Sequence, residues 1–297
     1  MSAAAPQVVM FPGLGASYPG MARRYLKAYP EDRQLLEGWW SAVDLDPNGA
    51  PPLDPRGQER LRQLEIHCLN LLWWRRSAGG VDGAAVCGHS LGYYAALVAA
   101  EVLDAETSLR LVDAVFQVGW CHFGGADQGV FVVTTREPCD FDSLVAGGCL
   151  EILSENNPRQ RVLCGHRNDY QRLLRQLGTA LLGAVDLATR LPFHSARMAQ
   201  MAEPLAAALR ALEIQPRQPC REIWSHIDAR RLDDAGSAMD LVLNQPHQRV
   251  RWEALVQALA EAGYRQFLEV GPNRVLSQIV RWCDPGLRVS HVDTLRR

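Results

Sequence analysis

The run Val86-Cys87-Gly88-His89-Ser90-Leu91-Gly92 carries this chain's clearest capacity for covalent chemistry. A short apolar stretch ends in a serine set between glycines, and the Ala-rich segment Tyr93 to Ala100 follows at once. A G-x-S-x-G pattern in this setting reads as a nucleophile elbow joining a buried strand to a helix. Gly88 and Gly92 permit a turn tight enough to hold the middle residue in strained geometry and to expose Ser90 Oγ at the top of a sheet. The backbone N–H of Leu91 would then face an oxyanion, and the helix N-terminus would favour that charge. Alone, the pattern is equally compatible with an ordinary glycine-rich turn between strand and helix.

An elbow needs a sheet beneath it, and the chain supplies one. Val8 to Phe11 predicts a buried strand, closed by Pro12-Gly13-Leu14-Gly15 and followed by a helix over about 20–29. That loop lacks the Lys-Ser/Thr ending of a nucleotide P-loop. Its N–H groups suit instead the second half of an oxyanion hole for Ser90. Helical periodicity covers 32–44 and 58–77, separated by the proline-rich stretch 47–55, and a strand over 81–87 leads into the elbow. A helix over 107–118 follows. The texture then changes: strand 129–135, helix 140–146, strand 149–153, strand 161–165, helix 168–177 and strand 183–188. This β-α-β-β-α-β order is the ferredoxin-like pattern. Helices over 196–212, from 239, over 250–262 and over 275–282 alternate afterwards with strands at 223–225 and 266–270. The expected fold is α/β, with a large α/β domain of residues 1–126 and 191–297 and a ferredoxin-like small domain at 127–190 inserted into it.

With 297 residues, 47% hydrophobic and 22% charged, the chain can bury a substantial core. A formal net charge of −2 gives no electrostatic basis for nucleic acid or an anionic membrane as main partner. Eight cysteines without C-x-x-C spacing read as buried small hydrophobes in a reducing compartment, with no metal site. No apolar run approaches the roughly 18 residues of a membrane span. The expectation is a soluble, cytoplasmic protein.

Several further segments fall in register with the elbow. Phe11-Pro12-Gly13-Leu14-Gly15 precedes it; Leu163-Cys164-Gly165-His166, Pro192-Phe193-His194-Ser195, Gln245, Arg249-Val250-Arg251-Trp252 and Glu269-Val270-Gly271-Pro272 follow in order. Together they resemble the malonyl-CoA:acyl-carrier-protein transacylase family, which includes acyltransferase domains of polyketide and fatty acid synthases. The resemblance spans about residues 8–282. It implies an α/β-hydrolase-like large domain and an active site in the cleft against the small domain. Ser90 would be the nucleophile and His194 its general base, oriented by the backbone carbonyl of Gln245 rather than by a carboxylate. Leu14 and Leu91 would supply the oxyanion hole. No cofactor is implied beyond the phosphopantetheine carried by the substrate, and the implied partners are acyl carrier protein and acyl-CoA.

Departures from the family pattern are equally informative. Malonyl-selective relatives place a carboxylate-clamping arginine in a Leu-Val-x-x-Arg-Gly context; here the segment is Leu111-Val112-Asp113-Ala114-Val115-Phe116. Val115 stands where the arginine would be, and a buried carboxylate without its bidentate partner costs several kcal/mol (roughly 3–5). An uncharged acyl group is therefore expected, in a pocket shaped by Val115, Phe116, Tyr93 and Phe193. The same residues permit transfer to a second thiol or hydrolysis of stalled acyl carriers. A catalytically silent docking subunit, or an esterase using His247 or His291 with Asp228, are the readings from other classes.

Overall fold

The structure is a computed structural model describing residues 6–46, 52–77, 81, 85–125 and 127–292. Parts of the expected loop at 47–55 and of the expected strand at 81–87, and the boundary residue Ala126, lie outside them. Among the described residues, the chain opens with β1 (Gln7–Phe11), α1 (Met21–Ala28), α2 (Arg33–Ser41) and α3 (Pro55–Ser77). Next come β2 (Ala85–Gly88), α4 (Gly92–Ala99) and α5 (Ala105–Phe123). A second unit holds β3 (Gly129–Thr135), α6 (Phe141–Val145), β4 (Glu151–Asn157), β5 (Gln160–Gly165), α7 (Arg167–Leu177) and β6 (Leu181–Asp186). The remainder is α8 (Ala202–Ala211), β7 (Ile223–Trp224), β8 (Arg231–Leu232), α9 (Ala235–Asn244), α10 (Trp252–Glu261), β9 (Gln266–Glu269), α11 (Val275–Cys283) and β10 (Arg288–His291).

The larger sheet runs β10-β9-β1-β2-β7-β8 and is parallel except for the β7–β8 pair. Val8, Val9, Met10 and Phe11 of its central strand are fully buried, as expected of a strand covered on both faces. From β1 the chain moves to β2 on one side, and β9 later pairs on the other. The sheet thus has a switch point at β1, and ligands of such sheets sit outside the C-terminal strand ends there. Those ends carry the Pro12–Ala16 loop and the elbow.

Residues 129–186 form a separate antiparallel sheet in the order β4-β5-β3-β6. Phe131, Val133, Ile152 and Leu163 pack under α7 with Tyr170 and Leu173. The alternate residues Val130, Val162, Cys164, Val132 and Leu187 form a second cluster with Leu153 on the other face. Edge strand β4 is stitched to the large unit: Val250 N–H donates to Leu153 O at 2.9 Å, and Glu155 N–H to Val250 O at 2.8 Å. Glu151 accepts from the Ser195 hydroxyl and from the Ala196 N–H. Arg62 reaches the carbonyls of Leu187 and Ala188, and buried Glu59 accepts from Thr189 and the Arg190 N–H, so α3 fixes the return crossing.

Two expectations about individual residues change. Cys121, Cys149 and Cys220 are exposed rather than buried. The expected strand at 149–153 begins later and continues to Asn157. No described helix is long and apolar enough to cross a membrane.

Fully buried Glu269 at the end of β9 accepts the N–H groups of Leu276 at 2.9 Å and Ser277 at 2.7 Å, closing the first turn of α11. Replacing it by Ala strands two buried donors. Glu269→Ala should therefore remove about 3 kcal/mol of stability, read as a fall in the urea midpoint at unchanged slope. A loss below about 1 kcal/mol would contradict the role given to this carboxylate.

Candidate active site

The elbow is as tight as its glycines require. A Cβ on Gly88 would lie 2.2 Å from the Gly92 carbonyl carbon, and one on Gly92 would lie 1.9 Å from Phe11 O. The turn leaves Ser90 at φ 53°, in the left-handed region that a serine seldom occupies. Gly13 meets the same turn from the other loop, since a Cβ there would sit 2.6 Å from His89 O. The Leu14 and Leu91 segments are thereby held side by side along the cleft. Neither N–H has a hydrogen-bond partner among the described residues, and Leu91 sits at the N-terminus of α4. Two free donors in this position suit a developing oxyanion.

Ser90 Oγ lies 2.6 Å from His194 Nε2. His194, at φ 75°, is held from the opposite side by the segment after α9. Its backbone N–H donates to Pro246 O at 2.7 Å, and its Nδ1 lies 2.8 Å from Gln245 O and 3.1 Å from Gln248 O. Carbonyl oxygens only accept, so Nδ1 carries the proton and Nε2 is left to accept from the serine hydroxyl. Burial, reinforced by the neighbouring His89, pushes the His194 pKa down to about 4, while the carbonyl bonds pull it back upward. The imidazole is thus neutral at physiological pH.

His89 spans the cleft, its Nε2 2.9 Å from Asn156 Oδ1 on β4 and 3.2 Å from Ser154 Oγ. His226, which no motif singles out, is fully buried, with its ring 6.1 Å from that of His194 and 5.6 Å from that of Tyr93. Burial lowers its pKa as well.

The cleft around Ser90 has a volume of about 250 Å³. Phe193 lines it, but Val115, Phe116 and Tyr93 do not. Tyr93 is turned into the core, donating from its hydroxyl to Ala238 O, and Tyr94 takes the cleft wall instead. Val115 and Phe116 are buried in α5, with Phe116 stacked on Trp120. Phe193 and Leu191 pack on Gly119, one turn further along α5, and stand between that helix and the cleft. No Arg or Lys is among the cleft-lining residues. His247, His291 and Asp228 lie outside the cleft lining too; His291 Nε2 is 3.1 Å from Gly271 O, and Asp228 pairs with Arg230. Among the described residues no cluster of His, Cys, Asp or Glu could hold a metal ion.

A family model described as "Acyl transferase domain" matches residues 65–284, which hold both Ser90 and His194. The chain belongs to this acyltransferase family. The malonyl CoA-acyl carrier protein transacylase of Salmonella typhimurium is 26% identical over 302 residues, covering 96% of this chain and 93% of the relative. Among solved structures, the Coxiella burnetii enzyme of that name superposes with a TM-score of 0.84 at 21% identity, over 97% of this chain and 94% of the other. A malonyl-transacylase in complex with its type II PKS acyl-carrier protein gives 0.83 at 24% identity, over 97% and 96%. The likeness therefore extends across nearly the whole length of these chains.

The lowered His194 pKa has a kinetic signature. A base must be neutral to accept a proton, so serine acylation should stay at its plateau down to about pH 5 and be lost as pH falls through about 4. Single-turnover acylation followed from pH 4 to 9 checks this. An acid limb at 6.5 or above would contradict it.

Proposed function

We propose that this acyltransferase moves an uncharged acyl group between phosphopantetheine thioesters of acyl-CoA and acyl carrier protein, through an acyl-Ser90 intermediate. The 2.6 Å contact between Ser90 Oγ and His194 Nε2 carries this reading. Ser90 Oγ attacks the thioester carbonyl carbon while its proton passes to His194 Nε2. The N–H groups of Leu14 and Leu91 receive the oxyanion. As the C–S bond breaks, the leaving thiolate takes the proton from Nε2, leaving the acyl ester on Ser90. A second pantetheine thiol then reverses these steps. The imidazolium formed in passing is stabilised by the carbonyls of Gln245 and Gln248, with no carboxylate needed.

The choice of an uncharged acyl group is supported by the cleft lining, in which no cation is available to pair a free carboxylate. Carrier protein and CoA as partners follow from the names of the relatives. We further read the two sheets as an α/β-hydrolase-like large domain with an inserted ferredoxin-like small domain, and the phosphopantetheine as substrate rather than resident cofactor.

Intact-protein mass should show an acyl adduct that forms faster with acetyl or longer uncharged thioesters than with malonyl. Ser90→Ala should abolish the adduct, and His194→Ala should slow its formation by about 10²-fold. A malonyl adduct that outpaces the uncharged ones would overturn the substrate assignment. Decay of the adduct at one rate with and without acceptor carrier protein would assign hydrolysis instead of transfer.

A further inference from the structure

The small sheet is apolar on both faces, and only one of them is covered by its own helices. Register identifies the residues of the other. Val132 lies opposite Val162 on β5 and opposite Val185 on β6, so three valines form a continuous row across three strands. Val130 stands two residues along on the same face, with Leu187 N–H bonded to its carbonyl. A register shift in β4 between Ile152 and Ser154 brings Leu153 and Ser154 together into the same cleft wall. All these residues line the cavity that contains Ser90. The facing wall is apolar as well: Leu14, Leu191 and Phe193, with Val275 and Ile279 of α11.

Along this row Val162 is buried, Val132 half-buried and Val185 exposed, so exposure rises toward β6. Val185 is 57% exposed, an unusual state for a large apolar side chain on a cavity wall, and it marks where the cleft opens at edge strand β6. Apart from His89, Tyr94 and the reacting pair, the polar lining residues are the neutral Gln63, Ser154, Asn156, Gln160, Thr189 and Gln245. Strands lie about 4.8 Å apart, so the row from β5 across β3 to β6 is about 10 Å long, the reach of roughly eight methylenes.

Resting on the acyl-Ser90 reading, we propose that the row Val162-Val132-Val185 is the binding floor for a linear acyl chain of about six to ten carbons. The chain extends from the Ser90 ester across β5, β3 and β6, and these valines set the length accepted. Each methylene laid on the floor should improve acylation about threefold to fourfold, until the chain passes the open edge.

Acyl-pantetheine thioesters from acetyl to hexadecanoyl test this without any carrier-protein contact, with the Ser90 adduct followed by intact mass. Octanoyl, six methylenes longer, should load at least about 500-fold faster than acetyl, and hexadecanoyl should fall back below octanoyl. Val132→Phe should lower the octanoyl-to-acetyl ratio at least about tenfold, a ratio in which any loss of folded protein cancels. Val185→Trp, at an exposed position that folding does not depend on, should move the optimum to a different chain length. Equal loading of acetyl and octanoyl in the wild type, or ratios unmoved in both variants, would overturn the floor while leaving the acyl-enzyme intact. An optimum at hexadecanoyl would overturn the length limit. Absence of any Ser90 adduct at every length would overturn the acyl-enzyme reading itself, and this inference with it.

Discussion

The hydrogen bond from His194 Nδ1–H to the Gln245 carbonyl organises more of this molecule than any other single contact. It settles the tautomer, and so which ring nitrogen faces Ser90. A backbone carbonyl performs this service without a formal charge, so the pair brings no second ion into a buried site, where an unneutralised carboxylate would be expensive. What the arrangement gives up is the strong stabilisation a carboxylate offers an imidazolium. Burial and the His89 neighbour add to this by disfavouring the charged ring. In the proposed mechanism such a neutral, weakly basic imidazole is well matched to a thioester, whose thiolate leaving group requires little help from a strong acid.

Everything else in the site can be traced to holding the two sides of that contact in place. Three glycines let β1, β2 and the first turn of α4 approach closely enough to hold the backbone of Ser90 in its tight turn. Strain at Ser90 and His194, both at positive φ, is tolerated because the surrounding backbone determines each position twice over. Glu269 ties the end of β9 to α11, and α11 in turn forms one wall of the cleft.

Local punctuation made much of this legible before any coordinates. The elbow, the Pro12–Gly15 loop and the six elements of the small unit are announced by glycines, prolines and switches of hydrophobic period within a few residues. Two short strands were not: β8 has two residues, and β10, Arg288–His291, mixes charged and apolar types too briefly to show a period. The pocket was the harder failure. A helix turns 100° per residue, so Tyr93 and Tyr94 face different surroundings although they are identical in type. Val115 and Phe116 sit on the correct helix but one layer too deep, behind Phe193, and layer depth leaves no trace in a linear motif. The valines of the small sheet escaped notice for a related reason. Gly129–Thr135 is apolar on both faces, which hides the alternation that would have revealed a second surface.

The strip after α9 has two duties. Within six residues it supplies the carbonyls that hold His194, through Gln245 and Gln248, and the backbone pairing that anchors β4, through Val250. Any swing of the small unit away from the large one would pull on the holder of the base. Widening the cleft would therefore strain the contacts that hold His194. A substrate that enters along the slot end-on leaves those contacts undisturbed. Flexible pantetheine arms, which deliver their cargo by reaching rather than by being enclosed, are well matched to such a slot.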